Sequence, residues 1–162
     1  MGSLERRARH KEALRKNILD AARELFVSEG VDKVSMRRIA EKIEYSPKTL
    51  YLHFRDKAEI MFHLCEDVFR RLGESLHPLE GLAGDPEAFL RAGLRAYVDF
   101  GLANPNDFRI AFLTDARHYP YGSHEELPKD SMAVALHRTA EDAVRRGIES
   151  GVFRPMDVHL VS

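Results

Sequence analysis

The sequence predicts an all-α protein in two parts, a short head of three helices followed by a longer helical body, and three observations carry that prediction. Apolar residues recur at spacings of three and four almost throughout, with no convincing stretch of period two. Charge divides along the chain: residues 1–57 hold 14 Lys or Arg against 9 Asp or Glu, whereas residues 58–162 hold 11 against 17. Ser, Asp, Pro and Gly stand where the periodic stretches would begin and end.

The head begins with Leu14, Ile18, Ala21, Ala22, Leu25 and Phe26, the apolar stripe of a first helix that should stop at Gly30. Ser35 is an N-cap for a second helix with Met36, Ile39, Ala40 and Ile43 on its apolar side. In "EYSPKTLYLHF", Ser46 is the next N-cap, Pro47 takes the first helical position, where no N–H is needed, and Leu50 and Phe54 form an inward pair. Asp56 and Glu59 read as the capping box of a fourth helix, which carries Ile60, Met61, Leu64, Cys65, Val68 and Leu72 inward and runs to about Leu76. At about 1.5 Å per residue it is roughly 30 Å long, enough to belong to both parts.

In the body, Asp85 and Pro86 open a fifth helix with Phe89, Leu90, Leu94, Tyr97, Val98 and Phe100, which leaves little polar face and predicts a central position. Asn104-Pro105 restarts the chain into a sixth helix bearing Phe108, Ala111 and Phe112, followed by a polar loop, "RHYPYGSHEELP". A seventh helix is predicted from about Lys129 to Ser150, with Gly151 as its stop, and "DVHLVS" begins an eighth. The domain reading is thus a head of short helices over residues 1–57 and a helical body over 58–162 that breaks off within its C-terminal helices.

Composition excludes several classes. At 162 residues, 44% hydrophobic and 31% charged, the chain is globular rather than disordered. No apolar run approaches the roughly 18 residues of a membrane span, and "MGSLERRARHKEALRKN" lacks the apolar segment of a signal peptide. A cytoplasmic protein with no membrane partner is expected. A lone Cys65 allows neither an internal disulfide nor a cysteine zinc cage. There is no Gly-rich phosphate loop, paired-carboxylate motif or nucleophile elbow, so the reading is not an enzyme and needs no cofactor. Glu59, His63 and Asp67 share a helix face, but Glu66–Arg70 and Asp67–Arg71 at i, i+4 mark that face as solvated, and no metal site is assigned.

Two short helices joined around Glu44 and Tyr45 and packed on a longer first helix form a helix-turn-helix arrangement. With Leu50 and Phe54 inward, the other face of the second short helix presents Lys48, Thr49, Tyr51 and His53, groups suited to phosphate oxygens, base edges and the thymine methyl. A helical hairpin with a merely solvated polar face is the alternative, and the basic head weighs against it.

The stretch "ILDAARELFVSEGVDKVSMRRIAEKIEYSPKTLYLHFRDKAEI" resembles the DNA-binding domain of TetR-type transcriptional regulators, through its A-x-x-L-F helix with terminal Gly, its Ser-capped R-R-I-A helix and its T-L-Y-x-H-F helix followed by D-K-x-E. Less specifically, "DPEAFLRAGLRAYVDFGLANPNDFRIAFL" resembles one subgroup of such regulators. The resemblance implies a helical body that binds a small molecule and dimerises. It places Ser35 and Arg37 near the DNA backbone, Lys48 and Thr49 at base edges, Tyr51 and His53 on phosphates and Lys57 on a phosphate from the fourth helix. With Ser46, these make the candidate DNA-binding set. Two departures stand out: Glu44 replaces a common Gly in the turn, implying either an occupied left-handed position or a differently shaped turn, and Lys48 replaces Gly or Ala. Lys48 could read guanine or add a phosphate contact.

In the body, Phe62, Phe69, Tyr97, Phe100, Phe112 and His137 are candidate ligand-lining residues, an apolar wall with Tyr97 and His137 as orienting groups. The expected function is sequence-specific DNA binding by a transcriptional regulator, a repressor released by a small molecule. The alternative is a DNA-binding scaffold of the same fold with no inducer. Expected partners are a palindromic duplex operator, an unidentified small molecule and, in a longer natural chain, a second copy of the protein. The 162-residue form itself is expected to associate weakly.

Overall fold

The computed structural model describes residues 2–82, 84–115, 118 and 127–157, apart from the side chains of Ser3 and Glu80. Seven α-helices occur among them: α1 Ser3–Glu29, α2 Met36–Lys42, α3 Pro47–Tyr51, α4 Lys57–Leu76, α5 Pro86–Ala103, α6 Pro105–Phe112 and α7 Met132–Glu149, with short 3-10 turns at Val31–Lys33 and His77–Leu82. No strand is found among the described residues, and none of their helices is long and apolar enough to cross a membrane. The expected eighth helix and most of the "RHYPYGSHEELP" loop lie outside the described residues.

Local chemistry sets most of the boundaries. Gly30, at φ 87°, ends α1 while its N–H bonds the Phe26 carbonyl at 3.1 Å. Ser35, Ser46, Asp85 and Ser131 each accept from a backbone N–H in the first turn of α2, α3, α5 and α7. Asp56 Oδ1 accepts from the Glu59 N–H at 2.8 Å, and the Glu59 carboxylate accepts from the Arg55 N–H at 2.6 Å, one residue earlier than a strict capping box would have it. At Gly151, φ 74°, the chain leaves α7.

The chain divides into two compact units, and the division falls inside α4 between Cys65 and Glu66. The sequence reading put its boundary between residues 57 and 58, where α4 starts. The first unit takes in the chain up to Cys65 and the described residues from Phe112 to His118. Its core is Ile18, Ala22 and Leu25 of α1, Val34, Ile39 and Ala40 at α2, Leu50 and Phe54 at α3, and Ile60, Met61 and Leu64 of α4, all buried. Each large apolar side chain so buried contributes about 1.5–3 kcal/mol.

The second unit comprises Glu66–Ala111 and the described residues from 127 onwards. Val68, Leu72, Phe100, Ile110, Val134, Ala143 and Val144 are buried there. Two expectations are corrected in this unit. Leu94, Val98 and Leu102 are 67%, 54% and 77% exposed, so α5 buries one side through Phe100 and is not central on all faces. Glu66 does not pair along its own helix with Arg70: its two oxygens accept from Ser131 Oγ at 2.6 Å and from the Met132 N–H at 2.9 Å, closing the start of α7. A carboxylate facing the positive end of a helix gains more than one facing a solvated guanidinium. Arg70 bonds Asp67 and Glu74 instead.

Glu66 should therefore matter to stability although it lies on a largely charged helix face. Glu66→Ala is expected to lower the urea unfolding free energy by about 1–3 kcal/mol. Glu66→Gln keeps one acceptor and should lose less.

Candidate nucleic-acid interface

The turn between α2 and α3 fixes where α3 can point. Glu44 adopts φ 60°, its N–H bonds the Glu41 carbonyl at 3.2 Å, and the Tyr45 N–H bonds the Ala40 carbonyl at 3.0 Å. This is a Schellman stop with a glutamate in the left-handed position that glycine favours. Of the two alternatives left by the sequence, the structure takes the occupied left-handed position, at a backbone cost of about 1 kcal/mol.

Helix α3 is only five residues long, too short to hold itself together in water. Its seat does so. Leu50 is 0% and Phe54 1% exposed, and the Ser46 hydroxyl both accepts from the Thr49 N–H at 3.2 Å and bonds the Thr49 hydroxyl at 2.9 Å. Arg15 of α1 clamps the far end. Its guanidinium lies 4.2 Å from the centre of the Phe54 ring, donates to the His53 carbonyl at 3.0 Å and to His63 Nε2 at 2.6 Å. A charged group stacked on a ring and satisfied by two acceptors is well placed in a partly buried site.

With that seat filled, Lys48 and Tyr51 are exposed and Thr49 half-exposed. Tyr45 and Leu52, not singled out from the sequence, flank α3 at 41% and 73% exposure. Apolar groups left in water beside a polar reading face suit a thymine methyl or a sugar. Their signal was readable: once Leu50 and Phe54 turn inward, Leu52 must turn out.

Charges around the two short helices are largely matched. Arg37 pairs with Glu41 at 3.0 Å, Arg38 with Glu29 at 2.8 Å, Lys42 with Glu24 at 2.8 Å and Arg55 with Asp56 at 2.9 Å. The Glu29 bond and charge hold Arg38 above its ordinary pKa. Burial pushes the Asp56 carboxyl up, but the Glu59 N–H and the Arg55 side chain outweigh it and keep the group below the usual range. Lys48 has no ion pair among the described residues.

Two expected positions prove different in setting. His53 is not on α3 but past its end, half-buried, with Nδ1 enclosed and unbonded. Burial first, then the charges of Lys11, Arg15 and His10, lower its pKa from 6.5. Lys57 donates to the Val31 carbonyl at 2.7 Å, so it ties α4 to the turn before α2 and keeps two of its three protons for other acceptors.

The candidate ligand residues are divided between the two units. Phe62 stacks edge-on against His63, centroids 5.4 Å apart, in the first unit, and Phe112 belongs to that unit as well. Phe69, Tyr97, Phe100 and His137 lie in the second. There Tyr97 meets Phe108 edge-on at 5.4 Å and burial raises its pKa. Phe100 lies 5.9 Å from Arg71, which is bonded to Asp107 at 2.6 Å, and His137 faces Glu141 at 3.3 Å.

Comparison with known proteins agrees with this geometry. The family model described as bacterial regulatory proteins, tetR family, matches residues 18–64, from mid-α1 into α4. The HTH-type transcriptional repressor Rv1474c of Mycobacterium tuberculosis is 33% identical over 152 residues, covering 90% of this chain and 76% of that protein. The HTH-type transcriptional regulator YobS of Bacillus subtilis is 29% identical over 60% of this chain and 51% of its own length. Among solved structures, the TetR family transcriptional regulator PfmR from Thermus thermophilus has TM-score 0.62 and 28% identity, covering 88% of this chain and 76% of that one. The fatty acid degradation regulator FadR from Bacillus halodurans, 18% identical with TM-score 0.68 over 90% and 74% of the two chains, shares the fold. The chain belongs to the TetR family, whose members are DNA-binding regulators of transcription and not enzymes.

Two predictions concern the local chemistry. Glu44→Gly should raise the unfolding free energy by about 0.5–1 kcal/mol, by relieving the left-handed backbone, whereas Glu44→Gln, which removes only the charge, should not. Because the folded pKa of His53 is lowered, the unfolded chain takes up that proton first, and the stability at stake is complete above about pH 6.5 and lost as pH falls through the lowered folded value. Between about pH 7 and about pH 5, the thermal midpoint of His53→Gln should therefore fall less than that of the wild type.

Proposed function

We propose that α3 reads base edges in the major groove through Lys48 and Thr49, with Ser35, Arg37, Ser46, Tyr51, His53 and Lys57 towards the backbone. The observation that carries this is the five-residue helix with its apolar side wholly buried and Lys48 and Tyr51 exposed. A helix inserted into a groove needs a fixed rotation about its axis, and the Leu50–Phe54 seat supplies it. Ser35 and Ser46 serve first as caps; the Ser35 hydroxyl proton remains available to a phosphate oxygen, whereas Ser46 also shares a hydrogen bond with the Thr49 hydroxyl. Arg37 must share its guanidinium with Glu41.

The protein acts as a repressor that binds a palindromic operator as a homodimer and is released by a small molecule. The name of the Mycobacterium tuberculosis relative, a transcriptional repressor, supports the first part. Of the ligand residues expected from the sequence, Phe69, Tyr97, Phe100 and His137 belong to the second unit, where Tyr97 and His137 would orient the small molecule. Helix α4 contributes Lys57–Cys65 to one unit and its remainder to the other, so a ligand that shifts its distal half moves the head. Two heads of a dimer must match successive major grooves, and a small change in their spacing releases DNA.

Lys48→Ala and Thr49→Ala should each cost about 1–3 kcal/mol on the preferred site and relax base preference there, with little loss on random duplex. Lys57→Ala should weaken both alike and flatten the salt dependence by about one phosphate's worth, and it should also lower the thermal midpoint through loss of the Val31 bond. Equal losses on specific and random DNA for all three would defeat the assignment of a base-reading face.

A further inference from the structure

The positive charge of the head is not where the reading helix is. Between Glu5 and Lys16 there are six Lys or Arg against two Asp or Glu, while residues 17–57, which include α2, α3 and their turn, hold eight against seven. Five of the latter cations, Arg23, Arg37, Arg38, Lys42 and Arg55, are paired within the fold. A nearly neutral helix-turn-helix has little to offer a polyanion, whose backbone supplies the bulk of non-specific affinity.

Helix α1 begins at Ser3, yet its first buried residue is Leu14. The side chains from Leu4 to Ala13 are exposed, so about three turns of helix run out without a core to pack on. Arg7, Lys11 and Arg15 follow one another at i, i+4 and i+8, and like charges so spaced destabilise a helix. Arg6, Arg7 and Lys11 have no ion pair among the described residues. These residues precede the span that matches the family model, which starts at residue 18.

The row leads somewhere. Arg6, Arg7, His10, Lys11, Leu14 and His53 line a groove of about 430 Å³, with Leu14 buried beneath it and His53 two residues past the end of α3. Whatever the groove holds lies against His53, two residues past the end of the reading helix. Two guanidiniums and an ammonium, lacking internal partners, form a site for a phosphate oxyanion.

We propose that this groove is a second DNA-binding site: it grips a backbone phosphate flanking the bases read by α3, and it supplies most of the sequence-independent affinity. The proposal rests on the DNA-binding reading of α3 but makes a separate prediction. A phosphate bound between Arg7 and Lys11, both of which line the groove, screens their mutual repulsion, so the extension is stabilised by the ligand it holds.

The test uses the whole chain carrying Arg6→Ala, Arg7→Ala and Lys11→Ala together, all at exposed positions. Its affinity is measured against salt on a duplex bearing the wild-type protein's preferred site, once with long flanks and once trimmed to the site. On long flanks the triple variant should bind more weakly, with log K against log salt flattened by about 0.9 for each phosphate it no longer neutralises, and with base preference unchanged. On trimmed duplex the two proteins should bind alike. Without DNA, the variant's thermal midpoint at low salt should equal or exceed the wild type's. Unchanged affinity and salt slope on long flanks, while the wild type still prefers its site, would overturn the groove and leave the reading of α3 intact. Absence of any site preference in the wild type would instead defeat that reading. Stabilisation of the wild type by inorganic phosphate, with no dependence on flank length, would overturn the DNA assignment in favour of a free anion.

Discussion

The burial of Leu50 and Phe54 beneath a helix of five residues is the constraint on which the rest of the head depends. Such a segment has no helical stability of its own. Its rotation, and hence which side chains face outward, is set by the burial of those two side chains in the unit whose core also holds Ile18, Ile39 and Ile60. Arg15 completes the seat by stacking on Phe54 and bonding the His53 carbonyl. One guanidinium thereby links α1, the end of α3 and, through His63, the start of α4. The strained Glu44 stop serves the same end, since it turns the chain tightly enough for α3 to reach that seat.

Electrostatics divide the head into a matched part and an unmatched part. Around α2 and α3 the cations are held by Glu24, Glu29, Glu41 and Asp56, which fixes side-chain positions and leaves Lys48 as the cation on the reading face. Exposed pairs of this kind add little stability, at most about 1 kcal/mol each, but they prevent competing contacts and so sharpen what α3 presents. The unmatched part is the start of α1, where repulsion is tolerated because the side chains stand in water.

Much of this was legible in the sequence because it is governed by neighbours along the chain. The apolar stripe from Ile60 to Leu72 marked α4, which the structure bounds at Lys57 and Leu76, and the caps Ser35, Ser46 and Asp85 behave as their spacing implies. What escaped depends on partners far away in sequence. Glu66 is bonded to residues 65 and 66 positions on, and nothing near it announces this; i, i+4 spacing pointed to Arg70 instead. Lys57 likewise finds a carbonyl 26 residues back. The α1 extension escaped because its charged residues carry no apolar period. His53 was assigned to the wrong element because α3 stops two residues short of it.

The central claim is that α3, locked by its seat, selects DNA by sequence. The most direct measurement is selection of bound duplexes from a random pool by the wild-type chain, followed by sequencing. The expected result is an enriched pair of inverted half-sites whose centres lie about one helical turn, roughly 10 base pairs, or a small multiple of it apart. Binding to the pool with no enriched sequence would contradict the claim, since the seat of Leu50 and Phe54 would then orient a face that reads nothing.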